Sequence, residues 1–202
     1  LSRQPGFKEL ATLKPRFPPA LRCLEVGTVA AIDRELANAI MECDLELVFA
    51  HPTDDYFLAA DPRVGNRKKG LMKFQVFGAL PDGGDLAFWK RKPKLADCPV
   101  VIFGSDGALA VYAQDFAGFL CLLAHGVKLH DVEHEGFRVD DTKSWEAPTK
   151  RELAQKLKPI KVIAAAVAKW SPEAKKRKPE QERAAAVALV PAFMKELTSL
   201  NR

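Results

Sequence analysis

Residues 99–126 have the sequence PVVIFGSDGALAVYAQDFAGFLCLLAHG, and this segment carries more structural information than any other part of the chain. Two short apolar runs, Val100–Phe103 and Leu109–Tyr112, flank Ser105–Gly107, where Asp and Gly are typical turn residues. Bulky apolar side chains then recur at helical spacing up to Gly126, a residue that commonly ends helices in the left-handed conformation. The pattern predicts a β-hairpin with a helix packed on it, and hence an α+β fold. It predicts no chemistry.

The composition of the chain is that of an ordinary globular protein. Its 202 residues fit one domain, or one domain with a helical extension, and 48% of them are hydrophobic and 28% charged. The formal net charge of +5 combines 31 Lys and Arg with 26 Asp and Glu, so the balance alone does not indicate nucleic-acid binding. No apolar run reaches the roughly 18 residues of a membrane span, and no signal-peptide pattern is present. We therefore predict a cytoplasmic protein without a membrane anchor.

The cysteines are few and scattered, at positions 23, 43, 98 and 121. No CxxC spacing occurs, which excludes the common zinc-ribbon and thioredoxin motifs. Cys98 precedes a predicted core strand and Cys121 lies in the predicted helix, so we expect both to be small buried hydrophobic residues. Free thiols are typical of the reducing cytosol.

The chain divides into two parts by composition. An N-terminal arm that holds four of the 14 prolines is predicted to be irregular, and we place it with the α+β core in residues 1–127. Residues 128–202 predict a helical extension, in which Thr149 and Glu152 form a capping box and Pro191 bends or breaks the last helix. The apolar stripes of these helices need a surface to cover, so we expect the extension to pack on the core.

Residues 130–134, HDVEH, match the HxxEH pattern of zinc hydrolases. Such chemistry needs both imidazoles on one helix face, a Glu as base and a third protein ligand. Gly126 and Gly136 bracket the match, which disfavours a long rigid helix, and no third ligand is identifiable. We interpret the segment as a polar loop and predict no metal and no cofactor. A metal-dependent hydrolase that uses His130, Glu133 and His134 is an alternative.

No other motif in the sequence indicates catalysis. Asp82 and Asp85 flank two glycines, and such Asp–Gly clusters are more often hairpin turns than paired catalytic carboxylates. Ser105 is followed by a predicted strand, whereas the serine of a nucleophile elbow is followed by a helix. The chain also has no glycine-rich phosphate loop. We therefore predict a protein without catalytic residues.

Two basic clusters suggest a different alternative. Arg67–Lys69 and Lys90–Lys92 with Lys94 carry groups that contact phosphates in other proteins, and Trp89 beside the second cluster is of a type that stacks on bases. Solvated loops are the commoner explanation of such clusters, so a nucleic-acid-associated protein stands only as an alternative function. The basic run Lys175–Lys178 lies between predicted helices, and we interpret it as a solvated connector.

The central segment shares a pattern of strand, turn and helix positions with a known family. The positions are Pro99, Val100, Gly104, Ser105, Asp106, Gly107, Asp115, Phe116, Phe119, Leu120 and Leu123. A glycine turn and an aromatic strand precede them, at Gly83, Gly84, Asp85, Phe88 and Trp89. On these residues the chain resembles the Smi1/Knr4 superfamily, also called SUKH, over residues 25–126.

The resemblance implies a curved, mainly antiparallel sheet with helices packed on one face, to which the C-terminal helical extension is added. It also implies a binding role, because many bacterial relatives resemble immunity proteins that neutralise a secreted toxin and fungal relatives act as scaffolds in cell-wall signalling. The family's usual opening motif, which begins W-x-G-[LI]-P, is not evident in this chain. A basic nuclease site is best covered by an acidic surface, so the net basic charge disfavours the nuclease-inhibitor version.

We therefore predict a non-catalytic protein-binding module of the Smi1/Knr4 type, whose narrower version is an immunity protein that neutralises a bacterial toxin. Loops at an open face of the sheet would dock on the protein partner, and polar groups beside an exposed aromatic ring make good anchors. On that basis the predicted partner-binding residues are Asp82, Asp85, Trp89 and Arg91. The alternative for Trp89 is a position in the core. The sequence does not predict the oligomeric state.

Overall fold

The α+β fold class is confirmed by a computed structural model of the chain. The residues that it describes are 48–49, 73–80, 83–134, 136, 145–154 and 156–200. Several predictions of the sequence analysis lie outside these residues, namely the N-terminal arm, Cys23, Cys43, the basic cluster at 67–69 and the site residue Asp82.

The centre of the described structure is an antiparallel sheet whose strands follow one another in chain order. The five strands are β1 (Val48–Phe49), β2 (Phe74–Ala79), β3 (Asp85–Trp89), β4 (Val100–Phe103) and β5 (Leu109–Ala113). The predicted hairpin is formed by β4 and β5, with Phe103 opposite Leu109. Gly107 has φ +99° in the connecting turn, a conformation that favours glycine. The turn signal of the sequence therefore fixes this register.

Helices follow the sheet in the described part of the chain. They are α1 (Phe116–Ala124), α2 (Leu129–His134), α3 (Lys150–Leu153), α4 (Lys161–Trp170), α5 (Pro179–Val187) and α6 (Val190–Leu200). Short 3-10 helices lie at Leu95–Asp97 and Ala174–Lys176. Since α1 follows β5 directly, the predicted order of strand, turn, strand and helix is confirmed.

Helix α1 has a side-chain cap at its start, and it ends where the sequence predicts. The backbone N–H of Gly118 donates to the Asp115 carboxylate at 2.8 Å, so Asp115 is the N-cap. At the other end, Gly126 has φ +71° and its N–H donates to the Leu123 carbonyl at 2.9 Å. The buried residues of the helix include Phe116 and Phe119, which pack on the sheet.

One face of the sheet is covered by α1, α2 and α4. Alternate residues of the strands point to this face, among them Phe88 and Tyr112, and they pack with Phe119 and with Ile163 of α4. The Tyr112 hydroxyl is buried here and donates to the Val127 carbonyl at 2.7 Å. This layer holds the larger of the two apolar cores.

The opposite face of the sheet is covered by α5 and α6. Phe193 of α6 packs against Trp89 with ring centroids 5.2 Å apart, and the same ring contacts Phe103 at 6.1 Å. Strands β3, β4 and β5 are therefore buried along their whole length. The expectation of an open sheet face for a partner is wrong, because the C-terminal helices occupy the face that was expected to be free.

The predicted signals of the C-terminal helices are confirmed where the structure describes them. Thr149 and Glu152 form the capping box at the start of α3, with Thr149 N–H donating to the Glu152 carboxylate at 2.6 Å. Helix α5 ends at Val187 and α6 begins at Val190, so the break falls beside Pro191, which takes up a first-turn position where no N–H is needed.

Candidate functional site

The predicted partner-binding residues do not form one exposed site. Asp85 starts β3 and is 3% exposed, and Trp89 ends the same strand and is 1% exposed. Arg91 is exposed in the loop that follows. Asp82 lies outside the described residues. Of the described members of the set, only Arg91 is therefore accessible to a partner.

The expectation that Trp89 is an exposed anchor is wrong, and the alternative of a core position holds. Residues alternate between the two faces of a strand, so Trp89 lies on the same face as Ala87, which α6 covers. The indole is enclosed by Phe193 from this helix. Covering the ring removes its apolar surface from water, which favours the core position over display at the surface.

Arg91 uses the buried indole as a platform. Its guanidinium carbon lies 4.6 Å from the Trp89 ring centroid, which is the geometry of a cation–π contact. The Arg91 backbone N–H donates to the Trp89 carbonyl at 2.8 Å, so both ends of the residue are held near the indole. Among the residues that the structure describes, no carboxylate pairs with this guanidinium. The cation is therefore ordered, exposed and not neutralised by the described part of the protein.

The loop after β3, residues 90–94, is named the basic loop here and has a defined backbone. The Lys90 N–H donates to the Lys73 carbonyl at 2.7 Å. The buried thiol of Cys98 lies 3.4 Å from the carbonyl oxygens of both Lys92 and Lys94, and it closes the loop from inside. Arg91, Lys92 and Lys94 are exposed on this backbone. Cys98 thus serves as a small buried residue, as the sequence predicts.

A second arginine, Arg177, is the centre of an ion-pair cluster between α1 and α5. Its guanidinium donates to Asp115 at 2.7 Å, to Glu173 at 2.8 Å and to Glu182 at 3.3 Å. Desolvation lowers the pKa of Arg177, but the hydrogen bonds to Glu173 and Asp115 outweigh it and the pKa is raised. The interpretation of Lys175–Lys178 as a solvated connector is therefore wrong for Arg177, although its lysine neighbours are exposed.

Glu182 is the most buried carboxylate of this cluster, with a side chain that is 7% exposed. Besides Arg177, it accepts a hydrogen bond from the Gln114 amide at 3.1 Å. The carboxylate lies against Gly118, where a methyl group would overlap with Glu182 Oε2. Gly118 is therefore needed for close approach of α5 to α1, which joins the C-terminal helices to the core.

The described thiol and phenol groups near this cluster are held in their neutral forms. Burial raises the pKa of Cys121 to about 11, and the negative charge of Glu182 acts in the same direction. Burial also raises the pKa of Tyr112 well above its ordinary value. The His125 Nδ1 lies 3.9 Å from the Cys121 thiol, but it donates to the Cys121 carbonyl at 2.8 Å and so cannot accept the thiol proton. A nucleophile needs a lowered pKa or an available base, and the described contacts give Cys121 neither. Cys121 is buried as the sequence predicts.

The HxxEH segment forms α2, a helix of six residues, rather than the polar loop that the sequence analysis expects. The structure describes the backbone of His130, Glu133 and His134, and their side chains lie outside the description. Within the described residues, no group of three or more His, Cys, Asp or Glu side chains is arranged to hold a metal ion. The metal-dependent alternative stays a hypothesis.

A shallow crevice lies between β5, α2 and the junction of α5 with α6. Its lining is apolar and includes Val111, Val132, Trp145 and Val190. The described lining residues include no acid, base or nucleophile. In the described part of the chain, no helix has the length and apolar character that crossing a membrane requires.

Comparisons with family models, with curated proteins and with solved structures found no match.

Sequence reasoning missed the Arg177 cluster and misjudged the display of Trp89. No local signal marks Arg177 within its basic run, because Asp115 lies 62 positions earlier in the chain. Asp115 itself was identifiable as a helix cap, but a cap position gives no information on a second partner. The link between Arg91 and Trp89 was within reach of the sequence, since Trp89 ends β3 and Arg91 follows it by two residues.

Proposed function

We propose that this chain is a non-catalytic protein-binding module of the Smi1/Knr4 type. The pattern that carries the resemblance has structural tasks in this fold: Gly107 shapes a turn, Asp115 caps α1, and Phe116 and Phe119 fill the core. Residues with these roles hold the fold, and the side chains on the protein surface determine what is bound. The described Cys, Tyr and ion-paired side chains are likewise engaged in holding the fold.

The observation that carries the proposal is the exposed Arg91 guanidinium held on the buried Trp89 ring. Binding usually orders a long flexible side chain, and that ordering opposes association. Here the stack holds the guanidinium before a partner arrives, so less entropy is lost on contact. Arg is also enriched among residues that dominate protein interfaces. We assign Arg91 as the anchor and Trp89 as its support.

The other members of the predicted site have different places in this proposal. Asp85 is too buried for direct contact and is left out of the interface. Asp82 keeps its predicted role as a binding residue. The narrower version, an immunity protein that neutralises a toxin in the cytoplasm, is supported by the resemblance alone.

The proposal is tested by capturing a partner and then measuring its binding with purified components. The chain, prepared without a histidine tag, serves as bait, captured proteins are identified by mass spectrometry, and the best candidate is purified. We expect one protein to bind directly with a fixed stoichiometry. Arg91→Ala should weaken this binding by about tenfold or more, whereas Lys176→Ala, with the same change of charge, should have little effect.

Two results would contradict the proposal. The first is the failure of every purified candidate to bind the chain directly. The second is stoichiometric zinc in the purified protein together with a hydrolytic activity that His130→Ala abolishes, which would establish the metal-dependent alternative.

A further inference from the structure

We infer that the basic loop docks on a carboxylate-rich segment of the partner protein. This inference rests on the proposed function and adds the chemistry of the partner.

The basic loop is fixed by contacts within the fold. The N–H of its first residue, Lys90, bonds to the carbonyl of Lys73, which directly precedes β2, and beyond its end Leu95 is buried in the core. The Asp97 N–H donates to the Lys94 carbonyl at 3.1 Å, and the Cys98 thiol contacts two loop carbonyls. A loop held in this way displays its side chains from constant positions, which reduces the entropy lost on docking.

The charge of the loop has one sign. Lys90, Arg91, Lys92 and Lys94 lie within five consecutive residues, separated only by Pro93. Lys73, the backbone neighbour of Lys90, already pairs with Glu196 at 2.9 Å, so that lysine is partly neutralised. The exposed cations Arg91, Lys92 and Lys94 attract negative charge, and complementary charges speed the encounter and suppress wrong partners.

Arg91 favours carboxylates as the negative groups. A guanidinium stacked on a ring keeps its N–H groups in its own plane, and these fit the two oxygens of a carboxylate side by side. The lysines on either side of it supply point charges that suit a segment with several carboxylates. The partner is therefore expected to present consecutive or clustered Asp and Glu residues.

The geometry disfavours nucleic acid as the ligand. Single-stranded nucleic acid is held by basic grooves in which exposed aromatic rings stack on the bases. The aromatic ring of this loop is 1% exposed, and Arg91 lies over it. The basic loop thus has the charge for phosphates but lacks an accessible stacking platform.

The test compares two variants that remove the same charge from different places. One is the triple variant Arg91→Gln, Lys92→Gln, Lys94→Gln in the basic loop. The matched control is Lys175→Gln, Lys176→Gln, Lys178→Gln, whose residues are also exposed. The probe is a fluorescent decaglutamate peptide at low salt, and decathymidylate serves as the nucleic-acid arm.

We expect the loop variant to bind decaglutamate about tenfold more weakly than the original chain, and the control variant to lose less than about twofold. Carbodiimide treatment should cross-link the peptide to Lys92 or Lys94. Arg91→Lys, which keeps the charge, should weaken binding more than Lys92→Arg.

Equal loss in both triple variants would show a response to net charge alone and would overturn the inference. It would also be overturned by the absence of measurable decaglutamate binding, or by decathymidylate binding that is tighter and lost in the loop variant. The proposed function fails separately, when no purified protein binds the chain. A purified partner that binds the loop variant as tightly as the original leaves the binding function standing and removes the basic loop from it.

Discussion

Arg91 and Arg177 are both held firmly, but by different kinds of neighbour. Arg177 is surrounded by the carboxylates of Asp115, Glu173 and Glu182, and it joins two helices from distant parts of the chain. Arg91 rests on the ring of Trp89 and faces solvent. In the first case the charge is neutralised inside the fold, and in the second it stays available to another molecule.

An arginine side chain can therefore be held in one position without having its charge neutralised. Removing Arg177 would leave Glu182 buried without its cation, and an unpaired buried charge is strongly destabilising. Removing Arg91 would leave no described carboxylate unpaired. Stability and binding should therefore respond to different arginines, which mutations can test.

The largest loss of stability is expected at Phe193, which packs on the Trp89 ring that supports Arg91. Phe193→Ala removes the ring that encloses Trp89, and we expect the free energy of unfolding to fall by about 3–5 kcal/mol. Val162→Ala is the control, because Val162 is 52% exposed and should change stability little. Urea unfolding measures both. A change below about 1 kcal/mol for Phe193→Ala would show that α6 does not cover the sheet.

A smaller loss of stability is expected when the ion-pair cluster around Arg177 is broken. Arg177→Ala should lower the free energy of unfolding by about 2–3 kcal/mol, since the cluster is mostly but not fully removed from solvent. Lys176→Ala, beside it in the chain and exposed, should change it by less than about 0.5 kcal/mol. Similar values for the two variants in urea unfolding would mean that the cluster does not join the helices.

Substitution of Gly118 tests how closely Glu182 packs against α1. Gly→Ala within a helix usually stabilises by about 1 kcal/mol, but Gly118→Ala should destabilise by about 1–2 kcal/mol because the new methyl group displaces the Glu182 carboxylate. In a Glu182→Ala background, the same substitution should regain its stabilising sign. A double-mutant cycle by urea unfolding gives the coupling. A stabilising Gly118→Ala in the original chain would contradict the close approach.

A pH series tests the surroundings of Cys121. Its pKa is raised from the ordinary 9.0 to about 11 in the folded state, so the folded protein retains this proton at pH values where the unfolded chain loses it. The resulting stabilisation is complete below about pH 9 and is lost as the pH rises towards 11. The raised pKa of Tyr112 adds a loss of the same sign at higher pH. Cys121→Ala should show a shallower decline between these pH values, and an unchanged slope would contradict the burial of the thiol.

The sequence predicted those parts of the fold whose signals are local. Gly107 and Gly126 mark a turn and a helix end by backbone chemistry that does not depend on distant residues. The burial of Cys98 and Cys121 followed from their apolar neighbours. These features were predictable because each depends on a few consecutive residues.

The candidate site was only partly predictable, because its geometry depends on contacts between distant segments. Trp89 ends a strand beside a basic loop, and nothing near it shows that Phe193 of the last described helix covers it. Arg177 lies in a run of basic residues. It differs from its neighbour Lys176 because it pairs with Asp115, which lies 62 positions earlier in the chain. Arg91 was identified because its support is two residues from it.

We expect Arg91 to serve binding and Arg177 to serve stability. The most direct test measures both properties on the same variants. Arg91→Ala and Arg177→Ala are compared with the original chain by decaglutamate titration and by urea unfolding. We predict that Arg91→Ala weakens binding while its free energy of unfolding falls by no more than about 1 kcal/mol, the size of one exposed cation–π contact, and that Arg177→Ala lowers stability while the folded fraction binds normally. Two results would contradict different roles for the two arginines. One is a loss of stability in Arg91→Ala as large as that in Arg177→Ala, and the other is undiminished binding by Arg91→Ala.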